Sequence, residues 1–238
     1  MNFEKFEPLL GDWAYKIKPF IESEECDKIY ARLKADSSRG KRICPDSQNT
    51  FRVFKETPYK KLKVIFLMYD PYPWIKDGVT VADGIALSCS NTKKFQPSLE
   101  QFYHAIERDT NLKLAGIKDW DLTPLCNQGI MMLNTALTVE EGKVGSHYDL
   151  WKPFTTYLFE EVLAKHNRGL IFVLCGKESQ YYERFINPLQ HYIFKLEHPA
   201  AAEWGSREWK HDGIFNTINK LVKENNNEEI IWIDDLPF

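Results

Sequence analysis

The stretch Leu62-Lys63-Val64-Ile65-Phe66-Leu67-Met68-Tyr69-Asp70-Pro71-Tyr72-Pro73 decides the fold class. It opens as a short, β-rich apolar run and stops on a carboxylate set between aromatics and prolines. Three later stretches follow the same plan. Gly129–Leu133 runs into Asn134, Leu170–Cys175 into Gly176-Lys177, and Tyr192–Leu196 into Glu197-His198-Pro199. Short apolar runs separated by helix-patterned segments predict the strands of a parallel α/β sheet. Such sheets bind ligands just beyond the carboxyl ends of their strands. An aspartate, an asparagine and a histidine are therefore expected in one crevice.

The segments between the runs read as helices. Phe20, Ile21, Ile29, Tyr30 and Leu33 predict an amphipathic helix near 19–35, ended by Ser37-Ser38-Arg39-Gly40. Ser98 with Gln101 has the form of a capping box and predicts a helix start at Ser98. Pro153 is expected near the start of another helix, a third follows Gly176, and Asp212 is expected to cap a last one. Ile230–Ile233 reads as a terminal extended segment. With no repeat and no break in composition, residues 1–238 read as one α/β domain.

The net charge of −3 argues against a broad basic face, so any contact with nucleic acid must be local. The five cysteines are odd in number and hold no CxxC pair, which argues against a disulfide framework or a cysteine zinc site and favours a reducing, intracellular compartment. No run reaches membrane-spanning length, and the N-terminus lacks a signal-peptide core.

Asp70 is the first candidate for chemistry, because Pro71 and Pro73 stiffen the loop that carries it. A carboxylate there can act as a general base, orient water or stabilise positive charge; it can also be a solvated turn residue. His198 before Pro199 and Asn134 at a strand end have ordinary structural readings too, each satisfying nearby backbone groups. Lys177 after Gly176 can meet a phosphate or stand free in a first helical turn. Trp204 and Trp209 can stack on bases or cover the sheet edge. A serine-hydrolase elbow and an HExxH metal motif are both missing from the sequence.

The order of these motifs resembles the uracil-DNA glycosylase superfamily, family 1 type, over most of the chain. Met68-Tyr69-Asp70-Pro71-Tyr72-Pro73 is similar to its GQDPYH motif, and Ala82-Asp83-Gly84-Ile85-Ala86-Leu87-Ser88 to its AHGLCFS stretch. Gln96-Pro97-Ser98-Leu99 resembles the PPSL loop, Met132-Leu133-Asn134 resembles LLN, and Ser146-His147 recurs. Gly176-Lys177 falls at the glycine–serine loop and His198-Pro199-Ala200-Ala201 at HPSP. The DPYP and HPAA forms look most like the poxviral branch.

The resemblance implies a four-stranded parallel sheet sandwiched by helices, and hydrolysis of the N-glycosidic bond of a flipped-out uracil. Asp70 and His198 would be catalytic. Tyr69, Tyr72, Leu87 and Asn134 would bind the base. Pro97, Ser98, Gly176, Lys177, Pro199, Ala200, Ala202 and Trp204 would contact DNA. No cofactor or metal is implied. Partners would be uracil-containing DNA and a replication or inhibitor protein, with no membrane and a monomeric state; the compartment would be cytoplasm or nucleus.

The departures leave alternatives open. Met68-Tyr69 replaces Gly-Gln, Leu87 stands where the family stacks a phenylalanine, and Ala202 occupies the wedge position. A relaxed DNA-binding, processivity or scaffold protein on the same fold fits these changes, as does a glycosylase for another modified pyrimidine. Tyr69 or Phe95 could replace the missing stacking ring, and Trp204 the wedge.

Overall fold

The computed structural model describes residues 3–110, 120–204, 207–225 and 227–232, with residues 203 and 204 described in backbone only. Its centre is four parallel strands: β1 (Val64–Met68), β2 (Ile130–Asn134), β3 (Ile171–Cys175) and β4 (Tyr192–Leu196), in the spatial order β2-β1-β3-β4. Every residue of β1, β2 and β3 is buried, as expected of strands covered on both faces. Edge strand β4 is partly exposed and carries Lys195 outward, which discourages pairing with another chain.

Alternation along the strands divides the covering layers. Phe66 meets Phe102 of helix Pro97–Thr110 at 5.6 Å between ring centroids and Phe215 of helix Ile214–Glu224 at 6.2 Å. Phe172 points to the other face and meets Phe159 at 5.8 Å, on a π-helical turn (Leu158–Leu163) that continues helix Tyr148–Tyr157. Burying one such ring contributes about 1.5–3 kcal/mol. These contacts fasten the covering helices to the two faces of the sheet.

Several element boundaries depart from the sequence expectation. The helix expected near 19–35 is two helices, Ala14–Ile21 and Glu24–Ser38. Ser23 takes an extended backbone between them, and its Oγ accepts the Cys26 amide at 3.3 Å. A serine cap here outcompetes helix continuation. Pro153 sits inside helix Tyr148–Tyr157 rather than near its start.

Helix Pro97–Thr110 begins before Ser98, with the Gln96 carbonyl accepting the Glu100 amide. No capping box closes there, because Gln101 Oε1 accepts the Trp209 amide at 3.1 Å. Asp212 does not cap helix Ile214–Glu224 either. Gly213 holds the cap position, and Asp109, from the neighbouring helix, accepts the Phe215 amide at 2.9 Å. The cap is thus tertiary, which local sequence does not reveal. Ile230 and Trp232 are buried without forming a strand, and Ile233 lies outside the described residues.

An element with no sequence forecast follows the Asp70 loop. Ile75–Lys76 and Val79–Thr80 pair as an antiparallel hairpin. Its turn residues Asp77 and Gly78 have φ of 52° and 81°, the pattern of a type I′ turn. Beside it, Ile43–Cys44 pairs with Val139–Glu140. All five cysteines are buried thiols outside any disulfide. Among the described residues, no helix is long and apolar enough to cross a membrane.

Candidate active site

Strand register brings the candidate residues together. Met68 of β1 lies opposite Asn134 of β2, and Cys175 of β3 opposite Leu196 of β4. Asp70 and His198 each come just after the end of a strand, and Gly176 directly follows Cys175. Asp70, Asn134, Gly176 and His198 all line a cleft of about 520 Å³, together with Tyr69, Tyr72 and Leu87. The cleft floor is tied across strands: the Thr135 amide donates to the Met68 carbonyl at 2.9 Å, and the Gly176 amide to the Leu196 carbonyl at 2.9 Å.

Burial pushes the Asp70 carboxyl up from the ordinary 3.8 to about 6. The Gly145 amide, donating to Asp70 Oδ2 at 2.7 Å, opposes that rise, and the Glu178 carboxylate adds to it. Gly145 is required at this point. Its φ is +75°, and a Cβ would lie 2.3 Å from the Tyr69 hydroxyl. The segment carrying Gly145 is anchored by Lys41, which bridges Asp36 at 3.0 Å and Glu140 at 2.9 Å, and by the Gly142 amide on the Pro73 carbonyl at 2.8 Å.

His198 is held in one tautomer. Its Nδ1 accepts the Ala200 amide at 3.1 Å, so the neutral ring carries its proton on Nε2. Burial lowers the imidazole pKa to about 4, which keeps the ring neutral at ordinary pH. Gly176 makes room for it: at φ +92°, a Cβ there would stand 3.3 Å from His198 Cβ.

The Tyr72 hydroxyl donates to the Leu87 carbonyl at 3.1 Å, and Leu87 has a left-handed φ of 64°. That strained segment is fixed from below. Buried Asp83 accepts the Ser90 amide at 3.0 Å and pairs with Arg52 at 3.0 Å. Such strain persists only where neighbours over-determine the backbone.

Of the residues expected to contact DNA, Pro97, Ser98, Gly176 and Ala200 line the cleft. Lys177 is exposed outside its lining, while Pro199 and Ala202 are buried; Ala202, at the expected wedge position, has 0% exposure and offers no surface to a duplex. The Trp204 side chain lies outside the described residues. Trp209 is a core residue, stacked on Phe102 and donating from Nε1 to the Glu197 carbonyl. Phe95 packs on Trp120 and Tyr103 rather than the cleft.

Sequence reasoning missed Glu178, Gln96, Val144 and Trp74, all of which line the cleft. Glu178, Trp74 and Gln96 carried a usable signal, since each adjoins or lies within a motif already singled out, whereas Val144 did not. Among the described residues, no His, Cys, Asp and Glu side chains cluster so as to hold a metal ion. The cleft thus holds a carboxylate of raised pKa, a neutral imidazole donor and an amide in one lining. That arrangement can stabilise a cation, activate water and donate to a forming anion.

No protein-family profile matches the chain. Curated relatives do. A uracil-DNA glycosylase of Aliarcobacter butzleri is 34% identical over 90% of this chain and 99% of its own length. One from Pseudomonas aeruginosa is 32% identical over 88% of this chain and 90% of its own. The crystal structure of mimivirus uracil-DNA glycosylase superposes with a TM-score of 0.86 at 25% identity, over 98% of this chain and 89% of that one. A mimivirus UNG variant solved in complex with UGI shares the fold, with a TM-score of 0.86 at 24% identity. With a strand register that gathers Asp70, Asn134 and His198 in one cleft, and with relatives matched almost end to end, the chain belongs to the uracil-DNA glycosylase family.

Proposed function

We propose that the protein excises uracil from DNA by hydrolysing its N-glycosidic bond, leaving an abasic site. The observation that carries this reading is the pairing of Asp70 and His198: a carboxylate poised near neutrality and a neutral Nε2–H donor, in one cleft. The target nucleotide must leave the stack to reach that cleft, at a cost of a few kcal/mol. As the C1′–N1 bond breaks, the sugar becomes cationic and uracil departs as an anion. Ionised Asp70 stabilises the cation and takes a proton from the water that adds to C1′. His198 Nε2–H donates to the negative oxygen of the leaving base, and the Asn134 amide reads its polar edge. Tyr72, braced on the Leu87 carbonyl, crowds the 5-position and excludes thymine. Pro97, Ser98, Gly176 and Ala200 hold the flanking phosphates. The DPYP and HPAA motif forms support a family 1 type with the poxviral motif form.

Labelled oligonucleotides containing uracil, thymine or 5-modified pyrimidines, treated with alkali after incubation, test this reading. Strand scission at uracil alone is expected. Binding without abasic sites would replace the reading with that of a DNA-binding scaffold, and scission at a 5-modified pyrimidine would replace it with a different base specificity.

The pH profile gives a second test. Asp70 must be ionised, so kcat/KM falls as pH drops through about 6. Glu178→Gln removes a like charge and moves that acid limb to lower pH. Gly145→Ala displaces the donated amide and moves it to higher pH. Both limbs staying in place would show that another group titrates.

A further inference from the structure

Six of the chain's tryptophans have described side chains, and five of them, Trp13, Trp120, Trp151, Trp209 and Trp232, pack against other aromatic rings. Trp74 is the exception among the described residues. It is 48% exposed and stands on the lip of the catalytic cleft, directly after Pro73. Val144, 57% exposed, lines the same cleft.

An exposed tryptophan on a mobile loop would mean little, but the Trp74 backbone is held from several sides. Its carbonyl accepts the Val81 amide at 3.0 Å, and the preceding Pro73 carbonyl accepts the Gly142 amide at 2.8 Å. The hairpin that follows closes through its tight turn, and Arg42 donates to the Gly78 carbonyl at 2.9 Å. The ring is therefore presented by a rigid support, so little ordering entropy is lost when a ligand covers it.

The charge of the cleft sharpens the point. Its charged lining residues are Asp70 and Glu178, and no lysine or arginine lines it among the described residues. Nucleic acid entering such a cleft gains little from phosphate neutralisation there. Within the cleft, affinity then draws on neutral contacts to the backbone and on stacking of a base on an aromatic face.

We propose that Trp74 is a stacking platform for the unpaired base next to the extruded uracil, and that it biases the enzyme toward single-stranded DNA. A base already free of its partner stacks on the indole at no unpairing cost, whereas a duplex must first surrender it. The inference rests on the uracil-excision reading, but binding tests it independently of turnover.

Binding of labelled single-stranded oligonucleotides carrying one uracil is measured by fluorescence anisotropy in the Asp70→Asn background, where the strand stays intact. Bases on either side of the uracil are replaced one at a time by abasic spacers. Trp74→Ala is expected to weaken binding by roughly 5- to 150-fold, and Trp74→Phe to recover part of the loss. At one flanking position the spacer weakens the Trp74 protein but adds nothing to Trp74→Ala, which is the signature of a lost shared contact. Melting temperatures confirm that the variants fold, and the Trp74→Phe series decides should Trp74→Ala not fold. Equal binding by Trp74→Ala and the Trp74 protein overturns the proposal. So does a spacer penalty that is the same with and without the ring, as expected if Trp74 instead docks a protein. Failure of the unaltered protein to release uracil would sink the excision reading alone, and the binding cycle would still report on Trp74.

Discussion

Asp70→Asn is expected to lower uracil excision by roughly 10²–10⁴-fold and, at the same time, to raise the melting temperature at neutral pH. Both effects come from one arrangement. The carboxylate is largely withdrawn from water, receives the Gly145 amide and feels the charge of Glu178. Ionised, it can stabilise a sugar cation and accept a proton from water; an amide can do neither. Its folded pKa of about 6 lies above the ordinary 3.8, so the folded protein binds the proton more tightly than the unfolded chain.

The ionised side chain therefore opposes folding. That cost is absent below about pH 4, grows between 4 and 6, and is complete above 6, reaching on the order of 2–3 kcal/mol. Asparagine is neutral at every pH and can still accept the Gly145 amide. The gain in melting temperature should thus appear at neutral pH and vanish near pH 4. Calorimetry at the two pH values checks this. A gain of equal size at both would mean that packing, not charge, is responsible, and the placement of strain at the catalytic carboxylate would be wrong. Activity that forbids an easy stability gain is a common feature of enzyme sites.

His198→Ala is expected to slow excision by roughly 10²–10³-fold while leaving the acid limb set by Asp70 in place. In the proposed reaction the donor matters because negative charge collects on the departing base. With Nδ1 occupied by the Ala200 amide, the ring offers Nε2–H and nothing else. Its pKa, lowered to about 4 by burial, means that no positive charge is present to be lost across the working range. Nitrogen-detected NMR of the histidine ring should show an Nε2-protonated, neutral imidazole at neutral pH. An imidazolium signal there would replace hydrogen-bond donation with ion pairing. His198→Gln, which keeps a donor of similar reach, should recover part of the rate.

The sheet was legible because buried parallel strands announce themselves as continuous apolar runs, and all four runs became strands within a residue or two. Asp70, Asn134 and His198 could be read for a related reason: each terminates such a run, and a parallel sheet aligns those ends. Helix starts were harder to read. At Ser98 the side chain that would have completed the capping box went to Trp209, and at Asp212 the cap came from Asp109, distant along the chain. Ser23 was a stronger local stop than the apolar stripe on either side of it suggested.

What the residues settled without coordinates was therefore the class of sheet and the identity of the three side chains at its carboxyl edge, since strand period and strand termination are local properties. What needed the folded chain was the electrostatic state of those side chains. The Gly145 amide and the Glu178 carboxylate reach Asp70 from remote segments, the Ala200 amide selects the His198 tautomer, and the hairpin after Pro73 lifts Trp74 to the lip of the cleft. Burial and hydrogen bonding set a proton's affinity, and both depend on which distant segments pack together.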